Sequence, residues 1–322
     1  MPARSSSRLS FIAPQLATLV SEPPAGKEWL HEVKFDGYRM ECLIAGGRAR
    51  LLTRRGLDWT ARFPRVAELA AGLPAAQAIL DGEVVALLPD GRSSFQALQQ
   101  SLLGEAARQV VYYAFDLLRL DHEDLRPLPL EDRKRRLARL LKGRRHDRRG
   151  TLRYSDHVAA SGATVLAKAC KMGLEGIVSK RRDLSYQSGR SRSWLKTKCL
   201  NRQELIVIGF TDPRGGRQGI GALLLGVYSA AGELQYAGKV GTGMNEAMLR
   251  TLRAALEPLR RADAPVRGKT LRGLASAHWV EPRLVVEVEF TEWTDDGRLR
   301  HPSFMGIRED KAAREVRREL PA

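Results

Sequence analysis

The hydrophobic pattern of the chain changes character near Asn201, and this change constrains the fold more than any other feature. Before it, period-two and helical patterns alternate: strand patterns at 31–38, 49–53, 78–88, 110–116, 176–180 and 194–198, helical patterns at 65–71, 95–103, 131–141 and 163–172. Ser161 reads as a helix N-cap and Gly173 as a C-terminal stop, so Glu175 stands where a strand begins. After the change come short alternating runs at 204–210, 222–229, 234–240 and 284–291, broken by Gly-rich turns and one helix at 245–256. That texture predicts a small β-barrel of the oligonucleotide-binding kind. The expected architecture is therefore α+β in two domains, 1–202 and 203–322, with 1–10 as a disordered lead.

Charge narrows the partner. The 54 Lys and Arg against 37 Asp and Glu give +17, which favours a polyanion over a small acidic substrate. The Arg-rich stretch 133–149 reads as a solvated helix face and loop. Cys42, Cys170 and Cys199 are odd in number and form no Cys-x-x-Cys pair, so neither a disulfide framework nor a zinc knuckle is expected. No apolar run approaches the roughly 20 residues of a membrane span, and the polar, basic start lacks a secretory core, which predicts a soluble, cytoplasmic protein without membrane contact. Nothing predicts oligomerisation, so a monomer is expected.

The chemistry concentrates in Lys34-Phe35-Asp36-Gly37-Tyr38-Arg39. Strand alternation over 31–38 puts Glu32, Lys34 and Asp36 on one face. Such triplets are ordinarily surface ion pairs of little worth. Here Gly37 frees the backbone after the lysine, and Arg39 is a fixed cation that favours a neutral amine and can hold a phosphate. Lys34 is thus a candidate nucleophile towards an α-phosphate, a reaction that calls for neighbouring cations and a divalent metal. Glu32 can accept from the amino group of adenine, whereas guanine presents an oxygen there, so ATP is favoured over GTP. Lys196 and Lys198, two apart in an extended run, point the same way with Trp194 and can meet a triphosphate together. Glu175 is the favoured metal ligand. Lys180 falls on the opposite strand face from Glu175 and needs a bulge or a long reach to join the same site. Arg214, Arg217 and Lys239, in Gly-rich loops of the second domain, suit a phosphate backbone without reading bases.

The first of these segments resembles motif I of the covalent nucleotidyltransferases, the superfamily of ATP-dependent DNA ligases, RNA ligases and capping enzymes. The remaining motifs follow in that superfamily's order: Thr53-Arg54-Arg55-Gly56, Leu80-Asp81-Gly82-Glu83, Tyr113-Ala114-Phe115-Asp116, Glu175-Gly176-Ile177-Val178-Ser179-Lys180 and Ser193-Trp194-Leu195-Lys196-Thr197-Lys198. The resemblance is greatest to the ligase domain of bacterial LigD-type end-joining enzymes and extends through Gly238-Lys239-Val240-Gly241-Thr242-Gly243 and 299–308. It implies a nucleotidyltransferase domain followed by an OB-fold, and an ATP-dependent DNA ligase working through lysyl-AMP on Lys34 with magnesium or manganese. It further implies that Phe115 stacks on the purine, Glu83 takes ribose hydroxyls or metal, and Arg39 and Arg54 hold sugar or phosphate oxygens. Arg300, Arg308 and Lys311 would close over the pyrophosphate by domain movement about a linker near Asn201. Met305 departs from relatives that carry a basic residue there. Nicked or broken duplex DNA is the implied substrate, and the end-bridging protein Ku and polymerase or nuclease modules the implied partners, in bacterial non-homologous end joining near the nucleoid. The competing readings are an RNA ligase and a non-catalytic nucleic-acid-binding protein.

Overall fold

A computed structural model describes residues 9–104, 108–142, 150–213, 219–266, 274 and 276–322. The chain divides into two compact units, one comprising the described residues to Cys199 with Pro321–Ala322, the other Leu200–Leu320. The lead 1–8, the Arg-rich 143–149, Arg214 and Arg217 lie outside the described residues.

The first unit is built on two sheets. Strands β1 (Gln15–Leu19) and β2 (Trp29–Val33) belong to a four-stranded sheet; β3 (Tyr38–Ala45), β4 (Arg48–Thr53) and β5 (Gln77–Leu87) belong to a six-stranded one. Helix α1 (Pro64–Ala71) precedes β5, and α2 (Phe95–Leu102) leads to β6 (Gln109–Leu120) and β7 (Glu123–Asp124). Helix α3 (Leu130–Lys142), β8 (Leu152–Tyr154) and α4 (Gly162–Lys171) follow, and β9 (Gly176–Arg181) and β10 (Gly189–Lys198) return to the smaller sheet in the order β1-β10-β9-β2.

Both faces of the larger sheet are covered. Along β3, Tyr38, Met40, Cys42 and Ile44 join one core with Leu80, Val84, Phe95, Leu98, Tyr112 and Leu137. Leu43, of opposite parity, joins Leu52, Ile79, Phe115, Leu118, Tyr186 and Trp194 in a second core that reaches β10. Period-two alternation thus sends every other residue of β3 towards the helices and the intervening ones towards the smaller sheet. The site lies on this second face.

The expected strand over 31–38 ends at Val33. Residues 34–37 carry the chain from one sheet to the other, with Lys34 N donating to Gly176 O at 2.9 Å. Asp36 therefore does not share a strand face with Glu32 and Lys34; its Oδ2 accepts from Phe95 N at the start of α2, 3.0 Å away. The expectation of a solvated α3 is also corrected, because its buried face comprises Leu130, Arg133, Lys134, Leu137, Leu140 and Leu141.

A third correction concerns the cysteines: Cys170 and Cys199 form a disulfide across 29 residues, while Cys42 is free and buried. Their number and spacing argued against pairing. Tertiary structure supplies what spacing could not, since Cys199 N donates to Glu175 O at 2.8 Å and thereby brings the end of β10 beside the turn that follows α4.

The second unit begins on β11 (Asn201–Thr211), with β12 (Ala222–Tyr228), β13 (Leu234–Val240) and helix α5 (Glu246–Leu256) after it. Next come β14 (Arg260–Arg261), β15 (His278–Val280), β16 (Val285–Phe290), β17 (Glu292–Trp293), β18 (Leu299–Arg300) and β19 (Ser303–Ile307). β11 pairs with β12 along one edge; along the other its first half pairs with β16 and Gly209–Phe210 with β15. One edge divided between two partners curls the sheet, as a small barrel requires. Lys239, expected in a loop, is an exposed residue of β13 opposite Leu224. Among the described residues no helix is long and apolar enough to cross a membrane.

Candidate active site

Lys34, Phe35, Arg39, Glu83, Phe115, Lys180, Trp194 and Lys196 line one cavity of about 160 Å³ with Glu32, Val33, Ala17 and Val178. The walls come from both sheets: β1, β2, β9 and β10 on one side, β3, β5 and β6 on the other. Lys34 sits at the crossing between them, where its Nζ donates to Glu175 Oε1 at 2.5 Å.

Glu175 is held at the start of β9 by its neighbour. Gly176 has φ of +152°, and a Cβ there would lie 2.2 Å from Thr197 O. β9 pairs with β2 and β10 without a register shift, so no bulge intervenes; Lys180 lines the cavity, and Glu175, just before the strand, is tied to it through Lys34. Gly176→Ala is expected to lower stability by about 1–3 kcal/mol, the cost of one strained backbone position, and to weaken the Lys34–Glu175 contact. Denaturant titration and labelling of Lys34 by an amine-reactive reagent would check both.

Arg39 is anchored from behind. Its Nε and Nη2 donate to Asp81 Oδ1 and Oδ2 at 2.9 and 2.6 Å, and Nη1 donates to Gln15 O at 2.6 Å. Tyr186 Oη donates to Asp81 Oδ2 at 2.9 Å. Burial opposes the charge on Arg39, but Asp81 more than offsets it and holds the guanidinium above its ordinary pKa. Its Cζ lies 5.3 Å from the Phe115 ring centroid and 5.6 Å from that of Trp194. At least three of the five guanidinium N–H groups are thus used within the protein, and what faces the cavity is a fixed cation.

Glu32 is 2 % exposed. Its Oε1 accepts from Lys134 Nζ at 2.7 Å, and Oε2 from Ser155 Oγ at 2.8 Å and Lys180 Nζ at 3.0 Å. Burial would push this carboxyl up; the charges of Lys134 and Lys180, with the Lys134 and Ser155 hydrogen bonds, outweigh it and hold Glu32 below the usual glutamate value. Lys180 is itself pushed down to about 8 by burial, against the attraction of Glu32. Its Nζ stands 4.2 Å from both the Phe115 and Trp194 ring centroids.

Other expected residues stand apart from the cavity. Arg54 follows β4 in a turn, and Lys198 ends β10 without lining it. In the second unit, Arg300 is exposed with Nη1 on Glu292 Oε1 at 2.5 Å, Arg308 is held between Glu287 and Asp310, and Lys311 Nζ donates to Glu204 at 2.9 Å. Met305 is half-buried in β19. Sequence reasoning did not reach Asp81, Lys134, Ser155 or Tyr186 as parts of the site, although Asp81 stands inside one of the motifs.

Among the described residues no group of three or more His, Cys, Asp or Glu could enclose a metal ion. The donors do suit magnesium, which binds through one or two carboxylates and substrate phosphate oxygens rather than in an all-protein cage. Glu83 and Glu175 are the carboxylates at hand.

The family model for the ATP dependent DNA ligase domain matches residues 14–198, and that for the ATP dependent DNA ligase C terminal region matches 216–311. The multifunctional non-homologous end joining protein LigD of Pseudomonas aeruginosa is 46% identical over 315 residues, covering 97% of this chain and 37% of that protein. The corresponding LigD of Mycobacterium tuberculosis H37Rv is 39% identical, covering 96% of this chain and 40% of that protein. The chain therefore spans about two fifths of the length of these curated relatives. A solved structure of mycobacterial DNA ligase D complexed with ATP and MES matches with a TM-score of 0.71 at 37% identity, covering 95% of this chain and 98% of that one. The two units are accordingly the nucleotidyltransferase domain and the C-terminal OB-fold of such enzymes.

Proposed function

We propose, from the premise that the chain belongs to the ATP-dependent DNA ligase family, that it adenylates itself on Lys34 and uses the AMP to seal nicks or ends in duplex DNA. The observation that carries this reading is the Lys34 amine at the mouth of a cavity that holds Glu32, Phe115, Arg39 and Lys196, with a carboxylate 2.5 Å from its nitrogen.

The chemistry runs in three transfers. Attack on the α-phosphate of ATP needs a neutral amine, and Glu175 is the group within reach of the Lys34 proton. The N–P bond forms as the bond to pyrophosphate breaks, leaving lysyl-AMP. The 5′-phosphate of DNA then takes AMP from Lys34, and a 3′-hydroxyl attacks that activated phosphate, expelling AMP and closing the phosphodiester. Glu32 accepts from the adenine amino group, Phe115 lies against the purine, Glu83 takes ribose hydroxyls, and Arg39, Arg54, Lys180, Lys196 and Lys198 supply positive charge towards the phosphates. A divalent ion held by Glu175 and Glu83, magnesium or manganese, would withdraw charge from the triphosphate. Arg300, Arg308 and Lys311 would reach the pyrophosphate on domain closure, Arg308 by exchanging Glu287 and Asp310 for phosphate oxygens.

Net charge of +17 supports a nucleic-acid substrate, with Lys239, Arg214 and Arg217 as contacts to its phosphate backbone. The LigD relatives are named for non-homologous end joining, which supports that role here; we propose with it Ku and polymerase or nuclease modules as partners and action as a monomer in the cytoplasm at the nucleoid. The test is incubation with magnesium and ATP or GTP labelled at the α-phosphate, after stripping with pyrophosphate. Acid-labile label from ATP alone, discharged by nicked DNA with sealing, is the expected result. Label from GTP points to capping chemistry, discharge by nicked RNA alone to an RNA ligase, and no label to a non-catalytic binding protein.

A further inference from the structure

Helix α3 places Lys134, 1 % exposed, against Glu32 from the side remote from the cavity. Besides its 2.7 Å bond to Glu32 Oε1, the ammonium donates to Ser155 O at 3.0 Å and lies 4.7 Å from the Tyr154 ring centroid. Ser155 Oγ and Lys180 Nζ take positions on Oε2. A carboxylate offers about four acceptor positions. Three are filled from within the protein, and Glu32 still lines the cavity, so about one remains for a donor on a ligand.

We propose that Lys134, assisted by Ser155, is a positioning residue for base selection: it keeps Glu32 ionised and turned edge-on to the cavity, so that a 6-amino purine is accepted and a 6-oxo purine refused. The inference rests on the reading that Glu32 meets the adenine amino group. An ionised carboxylate can only accept, and a carbonyl at the purine 6-position is repelled by it; a protonated Glu32 could donate to that carbonyl and discrimination would fail. Burial by itself favours the protonated form, and the lysine charges beside Glu32 oppose it. Lys134 does this from outside the cavity, touching neither base nor phosphate.

The test compares ATP with inosine triphosphate, whose base carries a carbonyl in place of the 6-amino group and with it a proton on N1, as donors of label to the full chain. Lys134→Met is expected to raise the KM for ATP about 10-fold with the saturated rate changed less than about 3-fold, and to lower the ATP-to-ITP ratio of kcat/KM about 10-fold or more. In a Glu32→Gln background, where the amide can already present either a donor or an acceptor, adding Lys134→Met should change that ratio less than about 2-fold. A folded Lys134→Met variant with the wild-type ratio would overturn the proposal, as would a further large loss of discrimination in the Glu32→Gln background. If Lys134→Met does not fold, Lys134→Gln, which keeps a donor for Glu32 without the charge, takes its place: the same fall in the ATP-to-ITP ratio is expected, and the wild-type ratio overturns the proposal. Wild-type chain that takes no label from ATP would instead overturn the nucleotidyl-transfer reading beneath it.

Discussion

Replacing Lys34 with alanine is expected to reduce label transfer from ATP by roughly 10⁴-fold or more, the scale seen when a covalent nucleophile is removed. No other lysine of the cavity can substitute. Lys180 is 3 % exposed, tied to Glu32 Oε2 at 3.0 Å and stacked over Phe115 and Trp194, so its nitrogen is committed to the base end of the cavity. Lys196 lies on β10 between two neighbouring strands, paired with Val178 of β9 and Leu19 of β1, and is fixed within the sheet. Lys34 differs from both in occupying the crossing between sheets, 23 % exposed and joined to Glu175. The same variant should retain sealing of a nick that already carries AMP on its 5′-phosphate, because the last transfer needs the 3′-hydroxyl and the phosphate-binding cations but no amine nucleophile. Loss of both activities would mean that Lys34 supports the fold or the DNA complex; retention of labelling would move the nucleophile elsewhere. A thermal melt excludes trivial unfolding; because Lys34 is partly exposed but the Glu175 side chain is only 4 % exposed, a modest destabilisation from the carboxylate left without this partner is expected alongside the loss of labelling.

What was legible in the sequence follows the range over which its signals act. The strands at 77–87 and 109–120 and the helices α1 to α4 declare themselves through residues two or four apart, and their observed bounds lie close to those patterns. Residues 31–38 alternate just as clearly, yet Val33 ends the strand, because hydrogen bonding passes from β9 on one side to β5 on the other and no single sheet can take both. Periodicity carries no information about which sheet a segment joins. The same limit hid the Cys170–Cys199 pairing, which depends on where β10 ends relative to the turn after α4. Lys134 and Arg133 were within reach: they fall three and four residues after Leu130 and three and four before Leu137, on the face that the leucines bury. A charged residue at such a position demands a buried partner, but the sequence does not say which carboxylate supplies it. The cavity shows the reverse case, since Glu32, Glu83, Phe115, Lys180 and Lys196 come from five separate strands, with Lys34 just beyond the first, and apart from the neighbours Glu32 and Lys34 they were grouped by motif order rather than by local pattern.

The second large effect follows from Arg133, whose guanidinium and the Asp116 carboxylate are both fully buried. Nε and Nη2 donate to Asp116 Oδ1 and Oδ2, each at 2.8 Å, and Nη1 donates to Leu128 O at 2.6 Å. Forming such a pair contributes little net stability, because desolvating both ions consumes most of the attraction; breaking it is another matter. Arg133→Met leaves Asp116 charged or forces it to take a proton, and strips the donor from a buried carbonyl, so a loss of about 3–5 kcal/mol is expected. With two units in the chain, a single unfolding free energy is not well defined, and the loss should be read as an earlier denaturant midpoint for the nucleotidyltransferase unit alone. Asp116→Asn on the Arg133→Met background should recover a substantial part of it, since the uncompensated charge is then gone. Recovery would establish the buried carboxylate as the source of the damage; equal loss in single and double variants would place the cost in packing around α3. Asp116 directly follows Phe115, and the pair ties that part of β6 to α3, so the folded fraction of Arg133→Met should also bind ATP more weakly. A KM for ATP unchanged in that fraction would mean that Phe115 is held by its contacts with Trp194 and Lys180 without help from the ion pair behind it.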